Sequence, residues 1–387
     1  MFTARTTRIQ PSATLEMTAK AAELRAQGID VINLSVGEPD FQTPKNIRDA
    51  GIFGIENGHT RYTAGSGTPD LKNAIIEKLS RDNQLDFSHE EIMVSCGGKH
   101  ALYNACQVLF EAGDEVIIFS PYWVSFPDFV SVTGAQPVFV DTDPDSQFEP
   151  IFDDLQSKIN SRTKGIIINS PSNPTGGVWS DDAIKKTLDI ATDNDLWIFS
   201  DECYEQLTYD VPFKSPGTFS DNKKIITFQS CSKTYAMTGW RIGYTAGDKN
   251  LIKAMSKLQS QSTSCPTSIS QYAAIEALTG PQEQVSEMRS EFRKRRDYFV
   301  KELNDIDGIT CQSPGGAFYV FPNISGLMDK YGFDSPSSFS LALLDSEAIV
   351  SVSGESFGSK NCIRFSYATS ISELETAIIK IKNFLKK

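Results

Sequence analysis

Short, wholly apolar runs recur along this 387-residue chain, with amphipathic stretches between several of them. Val116–Ile117–Ile118–Phe119, Val138–Phe139–Val140, Ile166–Ile167–Ile168 and Leu196–Trp197–Ile198–Phe199 lack the polar alternation of a strand with one wet face. Such runs form strands covered on both sides, so the expected architecture is α/β with a mostly parallel, buried sheet. Ligands of these sheets bind beyond the carboxyl ends of the strands. Polar residues gather where those ends fall. Trp123 follows one strand, Asn173 lies in Ser170–Pro171–Ser172–Asn173–Pro174–Thr175–Gly176 after another, and Asp201 directly ends a third.

A fourth strand end carries the most distinctive segment. Ile225–Ile226–Thr227–Phe228 leads into S-C-S-K-T-Y-A-M-T-G-W-R-I-G-Y, which places Lys233 among small hydroxyl residues and Arg241 eight positions later. The lysine amine can condense with an aldehyde as a Schiff base while the hydroxyls and the guanidinium grip an anion attached to it. Pyridoxal 5′-phosphate (PLP) carries both groups on one ring. A solvated lysine in a turn is the competing reading, but Met237, Trp240 and Ile242 make the segment too apolar for an exposed loop.

Other segments fit the same cofactor. Ile92–Met93–Val94–Ser95–Cys96 reads as a strand entering Gly97–Gly98–Lys99, followed by a helix with Ala101, Leu102, Ala105, Val108 and Leu109 on one face. That geometry aims backbone N–H groups at an anion. A plain strand-to-helix turn fits those glycines equally well until a phosphate is suspected. The glycine-rich Arg61–Gly67 lacks the GxxxxGK[ST] pattern and is not read as a P-loop. Asp201 would keep a pyridine nitrogen protonated, or would simply cap a turn. Asn173 and Tyr204 can bond a ring hydroxylate, although asparagine suits a proline-flanked turn and Tyr204 could be a core tyrosine. Trp123 offers a flat face for stacking, or is a structural tryptophan.

Composition excludes other classes. A net charge of −12 makes nucleic acid and anionic membranes poor partners. No apolar run approaches the roughly 18 residues of a membrane span, and Met1–Gln10 shows no secretory signal. Seven cysteines without a CxxC read as reduced thiols in a cytoplasm, and three histidines without ligand spacing make a metal site improbable. The length suits two domains. Helices are expected over 12–27, about 69–80, 336–346 and at the C-terminus, with strands at 31–34, 317–321, 348–352 and 362–367. Gly280–Pro281 marks the expected crossover between the two domains.

Taken jointly, the Lys233 segment, S-P-S-N-P-T-G-G, S-D-E-C-Y-E and R-F-S-Y-A-T-S resemble the PLP-dependent class I aminotransferases of fold type I. L-S-V-G-E-P-D-F, Y-T-A-G-S-G and G-G-K-H-A-L-Y-N are similar to the bacterial-type (Iγ) aspartate aminotransferase branch, collinearly from about Gln10 to the C-terminus. The resemblance implies a large domain, 45–280, around a seven-stranded, mostly parallel sheet, and a smaller α/β domain formed by 1–44 and 281–387. It implies that Lys233 forms the Schiff base and shuttles a proton, and that Asp201 pairs with the pyridine nitrogen. Ser230, Ser232, Arg241 and the Gly98 and Lys99 amides would hold the phosphate. Tyr204 and Asn173 would bind the ring hydroxyl, and Trp123 would stack on the ring. Arg364 would take the substrate α-carboxylate, with the Gly37 backbone lining the same pocket.

Tyr62 is expected to reach the phosphate of a neighbouring subunit, which implies a homodimer with a shared site. Lys99 and Thr14 match the positions that recognise a distal carboxylate, favouring L-aspartate and 2-oxoglutarate as substrates. Relatives that also use prephenate carry a lysine where this chain has Gln10, which disfavours prephenate. The same resemblance leaves room for prephenate/glutamate, aromatic or neutral donors, and for a carbon–sulfur β-lyase on the same pocket. A non-enzymatic regulator built on this fold would carry an added DNA-binding domain, whereas this acidic chain is expected to start directly with the catalytic fold.

Overall fold

The computed structural model describes residues 2–9 and 13–386, except for the side chains of 13–16 and 18. In chain order the first strands are β1 (Ile32–Asn33), β2 (Ile92–Ser95), β3 (Glu115–Ser120), β4 (Gln136–Asp143), β5 (Glu149–Pro150), β6 (Thr163–Asn169) and β7 (Trp197–Asp201). They are followed by β8 (Ile225–Ser230), β9 (Gly243–Ala246), β10 (Tyr319–Val320), β11 (Ile349–Val350), β12 (Val352–Ser353) and β13 (Ile363–Ser366).

The main sheet has the order β2-β9-β8-β7-β6-β3-β4-β5. Pairing is parallel from β8 through β7, β6 and β3 to β4, while β9 and the edge strand β5 run antiparallel to their neighbours. The sheet has eight strands where seven are expected, because Glu149–Pro150 adds a two-residue edge. The apolar runs have the anticipated cause. In β3, Val116 and Ile118 pack with Ala101, Leu102 and Ala105 of the helix Gly98–Leu109. Ile117 and Phe119 pack on the other side with Ile184, Leu188 and Ala191 of the helix Asp181–Asp193.

The helix Pro69–Asn83 starts as its sequence requires: Thr68 Oγ1 accepts from the Leu71 amide at 3.3 Å, and proline occupies the first turn. It runs three residues beyond the expected end and stops at left-handed Gln84.

A second sheet, β10-β13-β12, is antiparallel, and β1 pairs in parallel with β11. The expected strand 317–321 shortens to two residues, since Ala317 has φ 57° and leaves the extended region. Ala348, at φ 54°, caps the helix Pro336–Glu347, and the strand expected over 348–352 divides into β11 and β12. The helix Glu283–Asn304 has no counterpart among the expected elements. Its buried stripe, Val285, Met288, Phe292, Phe299 and Leu303, is interrupted by buried Arg295 and Arg296, which hides the apolar period. Phe292, Phe299 and Leu303 share a core with Ile32, Leu34, Tyr204, Phe318, Tyr319, Phe365 and Ile378. No helix among the described residues is long and apolar enough to cross a membrane.

Candidate active site

A cavity of about 280 Å³ opens beyond the carboxyl ends of the parallel strands, lined from β8 by Ser230, Ser232 and Lys233, and from β7 by Asp201, Cys203 and Tyr204. Gly98, Lys99, Trp123, Asn173, Arg241, Arg364 and Gly37 also line it. Residues up to 327 positions apart in the chain thus share one space, with Asp201 and Lys233 brought in by the ends of β7 and β8 and Arg364 by β13 of the second sheet.

At the centre, β8 ends in Ser230, whose Oγ accepts from the Ser232 amide at 3.1 Å and caps the short helix Cys231–Thr234. That turn directs Lys233 across the cavity, where Nζ donates to the Gly37 carbonyl at 2.6 Å. Burial pushes the Lys233 pKa down; Cys203 and Glu38 oppose the shift, and Arg241 and Arg364 reinforce it. The amine is therefore easier to deprotonate than a surface lysine. Gly37 has little freedom to be anything else: a Cβ there would lie 2.7 Å from Tyr319 Oη. Tyr319 Oη in turn stands 2.9 Å from Tyr204 Oη.

Asp201 ends β7 and is 6% exposed. Burial raises its pKa to about 7; the Cys203 amide, donating at 3.2 Å, holds it back, and the charge of Glu202 adds to the rise. Such a carboxyl awaits a cation, and a protonated ring nitrogen is one.

Another part of the cavity lining suits an anion. Ser230 Oγ and Ser232 Oγ lie 2.8 Å apart. The helix Gly98–Leu109 begins here, and first-turn amides lack intrahelical acceptors. Gly97, at φ 90°, permits close approach of Arg241: a Cβ at Gly97 would lie 2.4 Å from Arg241 Nη2. Arg241 Nη1 is steadied by the Thr238 carbonyl at 2.8 Å. Hydroxyls, helix amides and a guanidinium form a phosphate donor set.

Trp123 meets Phe126 and Phe129 edge to face at 5.3 and 5.7 Å, which fixes its indole plane at the cavity wall. Lys99 Nζ stands 5.0 Å from that ring. Partial burial, then the charge of Arg241, pushes the Lys99 pKa down.

Arg364 in β13 is 1% exposed. Nη1 donates to Asn173 Oδ1 at 2.8 Å and Nη2 to the Ser35 carbonyl at 2.6 Å, while buried Nε has no partner. Tyr319 and Phe357 flank the guanidinium at 4.5 and 4.9 Å. Among the described residues no carboxylate pairs with it.

One expected residue stands apart. Tyr62 is 89% exposed and does not line this cavity. The Thr14 side chain and all of Gln10 lie outside the described residues. Conversely, Tyr319 and Cys203 line the site without having been anticipated. Tyr319 sits in an aromatic run, Phe318–Tyr319–Val320–Phe321, and nothing local sets it apart from its neighbours. Among the described residues no group of three side chains could hold a metal ion.

An anion cradle, a buried carboxyl, a flat aromatic wall and a central amine fit PLP, whose phosphate, ring nitrogen and aldehyde need those partners. The profile of the family "Aminotransferase class I and II" matches residues 29–381. The chain is 46% identical over 381 residues to the aspartate aminotransferase of Bacillus sp. (strain YM-2), covering 98% of this chain and 97% of that one. It is 45% identical to the aspartate aminotransferase of Bacillus subtilis (strain 168), covering 99% and 98%. The solved aspartate aminotransferase from Thermus thermophilus with maleate superposes with a TM-score of 0.94 at 38% identity, covering 99% of each chain. On these residues and these relatives, the chain belongs to the class I and II aminotransferases, PLP-dependent enzymes of fold type I.

Proposed function

We propose that this enzyme moves the amino group of L-aspartate to 2-oxoglutarate, in a cytoplasmic homodimer. The observation that carries the reading is Arg364, a buried guanidinium with an unpartnered Nε and no carboxylate of its own. A buried cation needs an anion, and the α-carboxylate shared by amino acids and 2-oxo acids supplies one with matching bidentate geometry. PLP, when bound, supplies an aldehyde and an electron-withdrawing ring.

The remaining chemistry falls to side chains. Lys233, its pKa lowered by burial, serves as nucleophile and then as the base that holds a proton taken from the substrate α-carbon. With the cofactor bound, Asp201 would hold the ring nitrogen protonated, Tyr204 and Asn173 would bond the ring hydroxyl, and Trp123 would stack on the ring. Ser230, Ser232, Arg241 and the Gly98 and Lys99 amides would hold the phosphate. Gly37 accepts from Lys233 and borders the substrate.

Lys99, beside Trp123, and Thr14 are assigned to the distal carboxylate of a dicarboxylic substrate. The names of the Bacillus relatives support aspartate, and so does the Thermus enzyme with maleate, a four-carbon dicarboxylate. Exposed Ile52, Phe53 and Ile55, together with exposed Tyr62, support a second subunit that covers this face and receives Tyr62 in its site. Seven unpaired cysteines agree with a reducing compartment. The division into 45–280 and 1–44 with 281–387 belongs to the same reading, supported by the parallel pairing of β1 with β11.

Rapid mixing of the PLP-loaded enzyme with single amino acids tests the proposal. Aspartate should discharge the visible cofactor band faster than alanine or phenylalanine, with oxaloacetate as product, and Lys233→Ala should abolish turnover. Release of pyruvate and ammonia would make it a lyase.

A further inference from the structure

A second polar cluster lies behind Asp201 and Tyr204. Lys78, 1% exposed, stands on the helix Pro69–Asn83 between Ile75 and Leu79, on a face that also buries Leu71, Ala74 and Asn83. Its Nζ donates to Asn83 Oδ1 at 2.7 Å, Glu205 Oε1 at 2.5 Å and Gln229 Oε1 at 2.7 Å, which engages every ammonium hydrogen. Gln229 Nε2 continues to Glu202 Oε2 at 2.9 Å, and Tyr244 Oη donates to Gln229 Oε1 at 2.8 Å. Glu202 Oε1 accepts from Ser200 Oγ at 2.8 Å and Ser215 Oγ at 2.6 Å. Burial raises the Glu202 pKa to about 7, against three hydrogen bonds that lower it, and Lys78 pairs with Glu205 at 2.5 Å.

The turn after β7 is read out on two sides. Asp201 and Tyr204 line the cavity; Glu202 and Glu205 do not, and enter the cluster. Gln229 belongs to β8, four residues before Lys233. The same bonds thus tie the turn that carries Asp201 and Tyr204 to the strand that carries Lys233. Stability alone does not call for this arrangement, because well-packed hydrophobic residues of similar volume often do as well as a buried ion pair.

We propose that Lys78 is a positioning residue for the reaction: its ammonium clamps the 201–205 turn to β8 and so sets Asp201 and Tyr204 against Lys233. The turnover part rests on the aminotransferase reading; the clamping part does not. Lys78→Met alone strands the Glu205 charge in the interior and is prone to misfold. The test is therefore Lys78→Met/Glu205→Gln, which removes both charges at similar volume.

In the holoenzyme, kcat should fall about tenfold, with KM for aspartate changed less than about twofold, since the substrate carboxylate sites are untouched. In the cofactor-free protein, the Glu205 and Leu207 amides, which now donate to Glu202 and Tyr204 carbonyls at 3.1 and 2.8 Å, should exchange with solvent at least about tenfold faster. Amides of β3 should not change. A folded double variant with wild-type kcat and unchanged exchange would overturn the proposal and leave the cluster as filler. Faster exchange in a chain whose wild type shows no transamination would keep the clamp and sink the activity. Should the double variant fail to fold, Glu205→Gln decides: kcat about threefold lower with KM held supports the clamp, and wild-type kcat refutes it.

Discussion

Arg364 Nη1 donates to Asn173 Oδ1 at 2.8 Å, a contact between residues 191 positions apart that joins β13 to the loop after β6. Arginine has five N–H donors, and among the described residues Arg364 engages Asn173 and the Ser35 carbonyl alone. Asn173 orients the guanidinium from one side, Tyr319 and Phe357 flank it, and buried Nε has no partner among the described residues. The residue is held ready for a planar anion.

Arg364→Lys should therefore lower kcat/KM about a hundredfold or more for every amino donor. Lysine keeps a charge but loses the planar fork and strands the Asn173 and Ser35 oxygens. Steady-state kinetics with aspartate and alanine check this; a loss confined to aspartate would place Arg364 at the distal carboxylate instead.

Lys99→Ala should discriminate between substrates. A partly desolvated charge-assisted contact is worth about 1.5–3 kcal/mol, so kcat/KM for aspartate should drop roughly ten- to a hundredfold. Alanine never makes the contact and should lose little. Equal losses for both donors would restrict Lys99 to shaping the turn at the head of the helix Gly98–Leu109.

Gly37→Ala should act through Tyr319. The new methyl would sit 2.7 Å from Tyr319 Oη and displace it from Tyr204 Oη. About a tenfold loss of kcat/KM is expected, partly restored by Tyr319→Phe in the same background, which removes the colliding oxygen. Failure of the second change to recover any activity would show that Gly37 matters through its own backbone.

Asp201 makes the cofactor-free protein sensitive to pH. Its pKa, about 7 when folded against 3.8 ordinarily, means that the folded state binds this proton more tightly than the unfolded chain. The resulting stabilisation is complete below the unfolded value and is lost as pH rises through about 7. The loss is on the order of a few kcal/mol, and Glu202 contributes in the same direction. Melting temperature of the cofactor-free protein should fall between pH 5 and 8, less steeply in Asp201→Asn, which should melt higher than wild type at pH 8. Equal slopes for the two proteins would assign the titration elsewhere. The loaded Asp201→Asn enzyme should nevertheless lose most activity, since the amide keeps the size and drops the charge that holds a ring nitrogen protonated.

Much of the site was legible in the sequence because its information is local. A run such as Val116–Phe119 announces a strand covered on both faces, and the residue types that follow each run fall where α/β sheets bind ligands. Ser230, Lys233, Asp201, Asn173 and Trp123 could be picked out in this way, and the cavity brings them together. The helix Glu283–Asn304 was not legible, since two of the side chains it buries are arginines held by distant partners: Arg295 by Asp40 at 2.7 Å and Arg296 by the Pro314 carbonyl at 3.0 Å.

Tyr319 and Lys78 show what tertiary structure alone decided. Neither differs in its local sequence from an ordinary core tyrosine or a solvated helix lysine. Tyr319 enters the site because β10 brings it against Gly37 and Tyr204, and Lys78 is buried because the turn after β7 brings Glu205 to it. Side-chain period and turn chemistry are set by neighbours a few residues away and can be read along the chain. The partners of a buried polar atom are set by which elements the crossovers bring into contact, and that is determined only when the whole core packs at once.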